Sequence, residues 1–104
     1  MKVVFHLDDV NRWQRAKANI QNLLKETKDM TIVLLANGDA VKGYVAEENQ
    51  AFIEETSIEL HACRNALRGQ KMAEDQLPTP VTVVPVGVLD LVVLQTAGYS
   101  YIKV

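Results

Sequence analysis

Residues 31–36, Thr-Ile-Val-Leu-Leu-Ala, set apolar or β-branched side chains side by side with no polar alternation. An extended run of this kind has no face for water, so it is a strand covered on both sides. Strands of that type belong to parallel sheets, whose connections must cross over, usually through a helix. Four more segments read as strands, the first of them also of the doubly buried kind. Lys2 to Leu7 is an apolar run broken by His6, and Ile58 to Ala62 and Val81 to Val84 are shorter ones. Tyr99 to Val104 is a fifth.

Between these runs the spacing becomes helical. Trp13, Ala16, Ile20, Leu23, Leu24 and Thr27 form one stripe, with Arg12, Arg15, Lys17 and Gln21 opposite, as in a helix packed on a sheet. A weaker helix is expected around Val41, Tyr44, Val45, Phe52 and Ile53, broken at Gly43 and with a solvated centre at Glu47 to Gln50. A short helix follows Ala62 and Cys63 and runs to Gly69. Gln70 to Pro80 is polar, closes on Leu-Pro-Thr-Pro, and reads as an exposed connection. Pro85-Val86-Gly87 turns the chain into a helix from Val88 to Ala97, stopped by Gly98. The alternation predicts one α/β domain, a sandwich with a mainly parallel five-stranded sheet and helices on both faces.

The 104 residues suffice for a single core. A net charge of -2 with no basic cluster argues against nucleic-acid binding, which draws its affinity from neutralised phosphates. The one cysteine excludes an internal disulfide and a multi-cysteine zinc site, and the two histidines lack metal-ligand spacing, so no metal or organic cofactor is expected. There is no glycine pattern for a dinucleotide or P-loop phosphate cradle. The opening apolar run is too short for a signal peptide and none is long enough to span a bilayer, so a cytoplasmic protein without a membrane partner is expected.

In a parallel sheet, ligands gather at the carboxyl ends of the strands. The residues delivered there are His6, Asp8 and Asp9 from the first strand, Asn37 and Gly38 from the second, Cys63 from the third, and Pro85 and Gly87 from the fourth. Cys63 sits at a strand-to-helix corner, where backbone N–H groups are unpaired, and Arg64 and Arg68 follow it. A helix N-terminus alone contributes about 0.3–1 kcal/mol, less than one pKa unit, so a reactive thiol needs a second contribution, for which Arg64 and local backbone donors are nearest. Burial as a small core residue is the competing reading of Cys63. Asp8 and Asp9 read most simply as helix caps, His6 as a packed histidine and Asn37-Gly38 as a turn. A triad of Cys63, His6 or His61, and Asp8 is conceivable, but no spacing singles it out.

The chain resembles the DsrE/DsrF-like family of small sulfur-relay proteins. The resemblance covers nearly all of the chain. It rests on Lys2-Val3-Val4-Phe5-His6-Leu7-Asp8, the helix Trp13 to Leu24, the turn Ala36-Asn37-Gly38, the corner His61-Ala62-Cys63-Arg64-Asn65-Ala66-Leu67, and Val84-Pro85-Val86-Gly87-Val88 followed by Gln95 to Ile102. It implies a three-layer α/β/α fold, homotrimers or homohexamers, and a cysteine, Cys63 by position, that carries sulfur as a persulfide between donor and acceptor proteins. Arg64 and backbone N–H groups would then stabilise the anion, with Asn37, Gly38, Pro85 and Gly87 shaping the pocket. Independently, Val86, Val88, Leu89, Leu91, Val92, Val93 and Leu94 ring the last helix and leave it no polar face, so contact with another subunit is expected. The alternative function is a non-catalytic oligomeric protein that binds a small anionic or nucleotide-like ligand at the rim. A cysteine hydrolase with a histidine base is a third.

Overall fold

The computed structural model describes residues 1–104. The five strands are β1 (Lys2–Leu7), β2 (Thr31–Ala36), β3 (Glu59–Cys63), β4 (Val81–Val84) and β5 (Ser100–Lys103). They form one sheet in the order β4-β3-β2-β1-β5. Every neighbouring pair is parallel, so the sheet is wholly and not just mainly parallel. The helices are α1 (Trp13–Glu26), α2 (Gln50–Glu55), α3 (Arg64–Gly69) and α4 (Gly87–Thr96).

Strand order dictates the layers. From β1 through β4 the chain steps in one direction across the sheet, and right-handed crossovers put α1, α2 and α3 on one face. The step from β4 back to β5 reverses direction, and the same handedness puts α4 on the other face. The core divides accordingly. Val3, Phe5, Leu7, Ile32, Leu34, Leu60 and Ala62 pack with Trp13, Ala16, Ile20, Ile53 and Leu67 on the first face. Val4, Val33 and Leu35 pack with Leu91 and Leu94 of α4 on the second. This is the three-layer α/β/α sandwich with a five-stranded sheet.

The expected second helix is mostly something else. Gly38–Val45 and Glu47–Asn49 are 3-10 segments, and only Gln50–Glu55 is α-helical. The cause is local packing. Trp13 lies so close to Gly43 that a Cβ at that glycine would fall inside the indole. The indole Nε1 donates to the Ala40 carbonyl at 2.7 Å. Nor is the 47–50 stretch solvated throughout: Asn49 is buried, its amide donating to the Gly43 carbonyl at 2.8 Å. The last helix does end as its glycine suggested, with Gly98 in the left-handed region at φ 96.

Candidate functional site

The connections after β3 and β4 leave for opposite faces of the sheet, the first to α3 and the second to α4. A crevice opens between adjacent strands where such connections diverge, and open α/β sheets place their ligands there. Cys63 ends β3 on one side of that crevice, and Gly87 opens α4 on the other. The Gly87 N–H donates to the Cys63 sulfur at 3.2 Å. The donor to the thiol is thus the first amide of a ten-residue helix reached across the crevice, not an amide of α3. Its positive end favours negative charge on the sulfur.

Gly87 also sets the spacing of the crevice. A Cβ at this position would lie 3.2 Å from the Cys63 Cβ and 3.4 Å from the Asn37 Cβ, closer than side chains normally pack. Cys63 itself is 6% exposed. Pro85 is exposed on the same β4–α4 turn.

Arg64 does not serve the thiol. Its Nε donates to Glu74 at 2.8 Å and its Nη2 to the same carboxylate at 3.4 Å. The Glu74 hydrogen bond raises the guanidinium pKa, a consequence of that pairing. Asp8 and Asp9 have separate fates. Asp9 caps the 3-10 turn Val10–Arg12 by accepting from the Asn11 N–H at 2.9 Å. Asp8 caps nothing and pairs with Lys103 of β5 at 2.8 Å. The Lys103 hydrogen bond holds the Asp8 carboxyl below its ordinary value. Gly38 takes φ 55 and turns the chain out of β2, with the Asp8 carbonyl 3.2 Å from where a Cβ would be.

His6 sits between β2 and β5 on the α4 face. Its Nε2 lies 2.9 Å from the Asn37 Oδ1 and its Nδ1 2.6 Å from the Tyr101 hydroxyl. His61, two residues before Cys63 on the same side of β3, has its Nδ1 2.7 Å from Asp90 and its Nε2 3.2 Å from Glu59. Each ring nitrogen of both histidines has a partner, and in no case is it Cys63. The triad arrangement is therefore absent, and with it the geometry for a histidine-activated cysteine hydrolase. No group of three or more His, Cys, Asp or Glu side chains is placed to hold a metal ion. No helix is long and apolar enough to cross a membrane.

The structure therefore gathers Cys63, Gly87, Asn37 and His6 into one neighbourhood, with Pro85 on the adjoining turn. Gly38, Asp8 and Lys103 stand along the same rim, and Arg64 turns away. Tyr101, Lys103 and Asp90 join the site unforeseen. Tyr101 and Lys103 had one available signal: parallel β5 alternates, so these two residues share a side.

No family model matches the chain. No curated protein matches it. Among solved structures it is similar to the protein of unknown function MTH1491 from Methanobacterium thermoautotrophicum. The two are 31% identical with a TM-score of 0.90, over 99% of this chain and 98% of that one. At that identity and coverage, the chain belongs to the same family as this archaeal protein.

Proposed function

We propose that the protein is a sulfur carrier of the DsrE/DsrF-like kind, with Cys63 as the carrying residue. The observation that supports it best is the Gly87 N–H, at the head of α4, donating to the Cys63 sulfur at 3.2 Å. That donor meets the Cys63 sulfur and would meet the inner sulfur of a persulfide in the same way. The Cys63 thiolate attacks the terminal sulfur of a donor persulfide R–S–SH. A new S–S bond forms on Cys63, the old one breaks, and R–S⁻ leaves. An acceptor thiolate takes the sulfur in the same way and returns Cys63 to its starting state. No oxidant or reductant is consumed. The low exposure of Cys63 suits the hand-over of a single terminal atom and shields what is carried.

The carrier would work in the cytoplasm as a homotrimer or homohexamer, docking donor and acceptor proteins at the rim. Assembly is supported by the outer side of α4, where Val88, Leu89, Val92 and Val93 are 55–63% exposed. A contiguous apolar helix face of this kind marks an interaction surface.

Intact-mass spectrometry after brief exposure to a persulfide donor tests the proposal. The wild type should gain one sulfur atom that a reductant removes, and Cys63→Ser should gain none while keeping its fold. A wild type that gains nothing, with Cys63 silent to a thiol probe until unfolding, overturns the carrier reading and leaves rim binding of a small anionic or nucleotide-like ligand.

A further inference from the structure

The outer sulfur of a persulfide stands about 2 Å beyond the sulfur that Gly87 serves. It carries the negative charge, so it needs a donor of its own. Asn37 has one to offer. Its Oδ1 is engaged by His6, 2.9 Å away, while its Nδ2 makes no hydrogen bond within the chain. That nitrogen is on the Gly87 side: a Cβ on Gly87 would lie 3.5 Å from it and 3.2 Å from the Cys63 Cβ. The missing side chain of Gly87 thus lets the Asn37 amide nitrogen and the thiol-bearing carbon of Cys63 approach the same backbone position.

We propose that Tyr101, acting through His6, fixes the Asn37 carboxamide so that its Nδ2 donates to the outer sulfur of a persulfide on Cys63. This rests on the carrier reading and adds to it a specific donor and the device that aims it. A carboxamide oxygen only accepts, so the His6 Nε2 carries a hydrogen. In the neutral ring Nδ1 is then an acceptor, and the Tyr101 hydroxyl donates to it over 2.6 Å. If the ring takes up a second proton, Nδ1 donates to the Tyr101 oxygen and Nε2 still donates to Asn37. The amide is held the same way round in both charge states. Asn37 is the residue that touches the sulfur, and His6 and Tyr101 are positioning residues.

The test loads wild type, Asn37→Ala and Tyr101→Phe with sulfur from a small-molecule persulfide and follows its loss by intact mass. Alkylation of the unloaded Cys63 is timed in parallel. Asn37→Ala should lose its sulfur about tenfold faster, the effect of deleting a hydrogen bond to a charged group. Tyr101→Phe should move the same way by about threefold, as expected when a neutral bond is lost at one remove. Unloaded alkylation should stay within about twofold of wild type, a pattern that mere loosening of the fold would not give. Sulfur loss at the wild-type rate in both variants overturns the assignment and leaves the carrier reading standing. Alkylation that accelerates as much as sulfur loss also overturns it, because Asn37 would then be a cover over the thiol. A wild type that never loads overturns both. Tyr101 is 40% exposed on an edge strand, so its variant decides the matter if Asn37→Ala fails to fold.

Discussion

Replacing Tyr44 by phenylalanine removes one oxygen from the centre of the protein and little else. The side chain is fully buried, and its ring meets Trp13 edge-on with centroids 5.1 Å apart, a contact phenylalanine keeps. What disappears is the donor to the His61 carbonyl at 2.8 Å, with the Leu34 carbonyl at 3.4 Å as a weaker second partner. A neutral hydrogen bond contributes about 0.5–1.5 kcal/mol, and an acceptor left dry adds to the cost, so a loss of about 1.5 kcal/mol is expected at pH 7. For a chain of this size that lowers Tm by roughly 6–12 °C. The alkaline side gives a sharper test. Burial pushes the Tyr44 phenol pKa well above its ordinary value, so the folded protein keeps the proton that the unfolded chain gives up near pH ~10. The stability tied to this group is complete below pH ~10 and falls above it, by about 1.4 kcal/mol at pH 11. Tyr44→Phe has no such group. Urea unfolding of both proteins at pH 7 and pH 11 should therefore show the gap between them closing almost to nothing. A gap as wide at pH 11 as at pH 7 would refute the reasoning, because the hydroxyl would then ionise as freely inside the fold as outside it.

Two further predictions concern packing and assembly. Gly43→Ala drives a methyl group into the Trp13 indole and should cost about 3 kcal/mol, at the upper end for overpacking, with the Trp13 fluorescence shifting to the red. Wild-type stability would show that the 3-10 segment moves away freely. Val92→Glu, on the exposed side of α4, should reduce the mass measured by light scattering while far-UV circular dichroism stays unchanged. An unchanged mass would mean that α4 is not the contact between subunits.

The central strands were legible because a run buried on both faces leaves the sequence few alternatives. The strand β4, only partly buried at the sheet edge, was legible from the proline and glycine turns that bound it. The expected and observed bounds agree for Lys2–Leu7, Thr31–Ala36 and Val81–Val84. The segment 38–55 was not legible, since Gly43 looked like a gap in a helical stripe. Its real role is to admit Trp13 from thirty residues earlier. At the site, sequence proximity misled. Arg64 is adjacent to Cys63 but reaches forward to Glu74, while the actual donor to the thiol is 24 residues away. Assigning residues to the rim worked, because it follows from parallel strand direction alone. The partners that orient them did not emerge, because they depend on strand order, and nothing local announces that β5 returns to lie beside β1.

That return has a consequence for how the site comes into being. The His6–Tyr101 and Asp8–Lys103 contacts each join residues 95 positions apart, and all of β5 is exposed. Contacts of such separation form late, after the entropy of closing a very long loop has been met, and an exposed edge strand is the first to open again. Cys63 and Gly87 can therefore meet in a molecule where β5 has not docked or has briefly left. In that molecule the thiol has its backbone donor, while His6 has lost the Tyr101 hydroxyl. Release of one edge strand then changes how the Asn37 amide is held without disturbing the core beneath it, so the site has a local opening equilibrium separate from global unfolding. Hydrogen exchange at Val104, whose amide donates to the His6 carbonyl at 3.0 Å just past β5, would measure it.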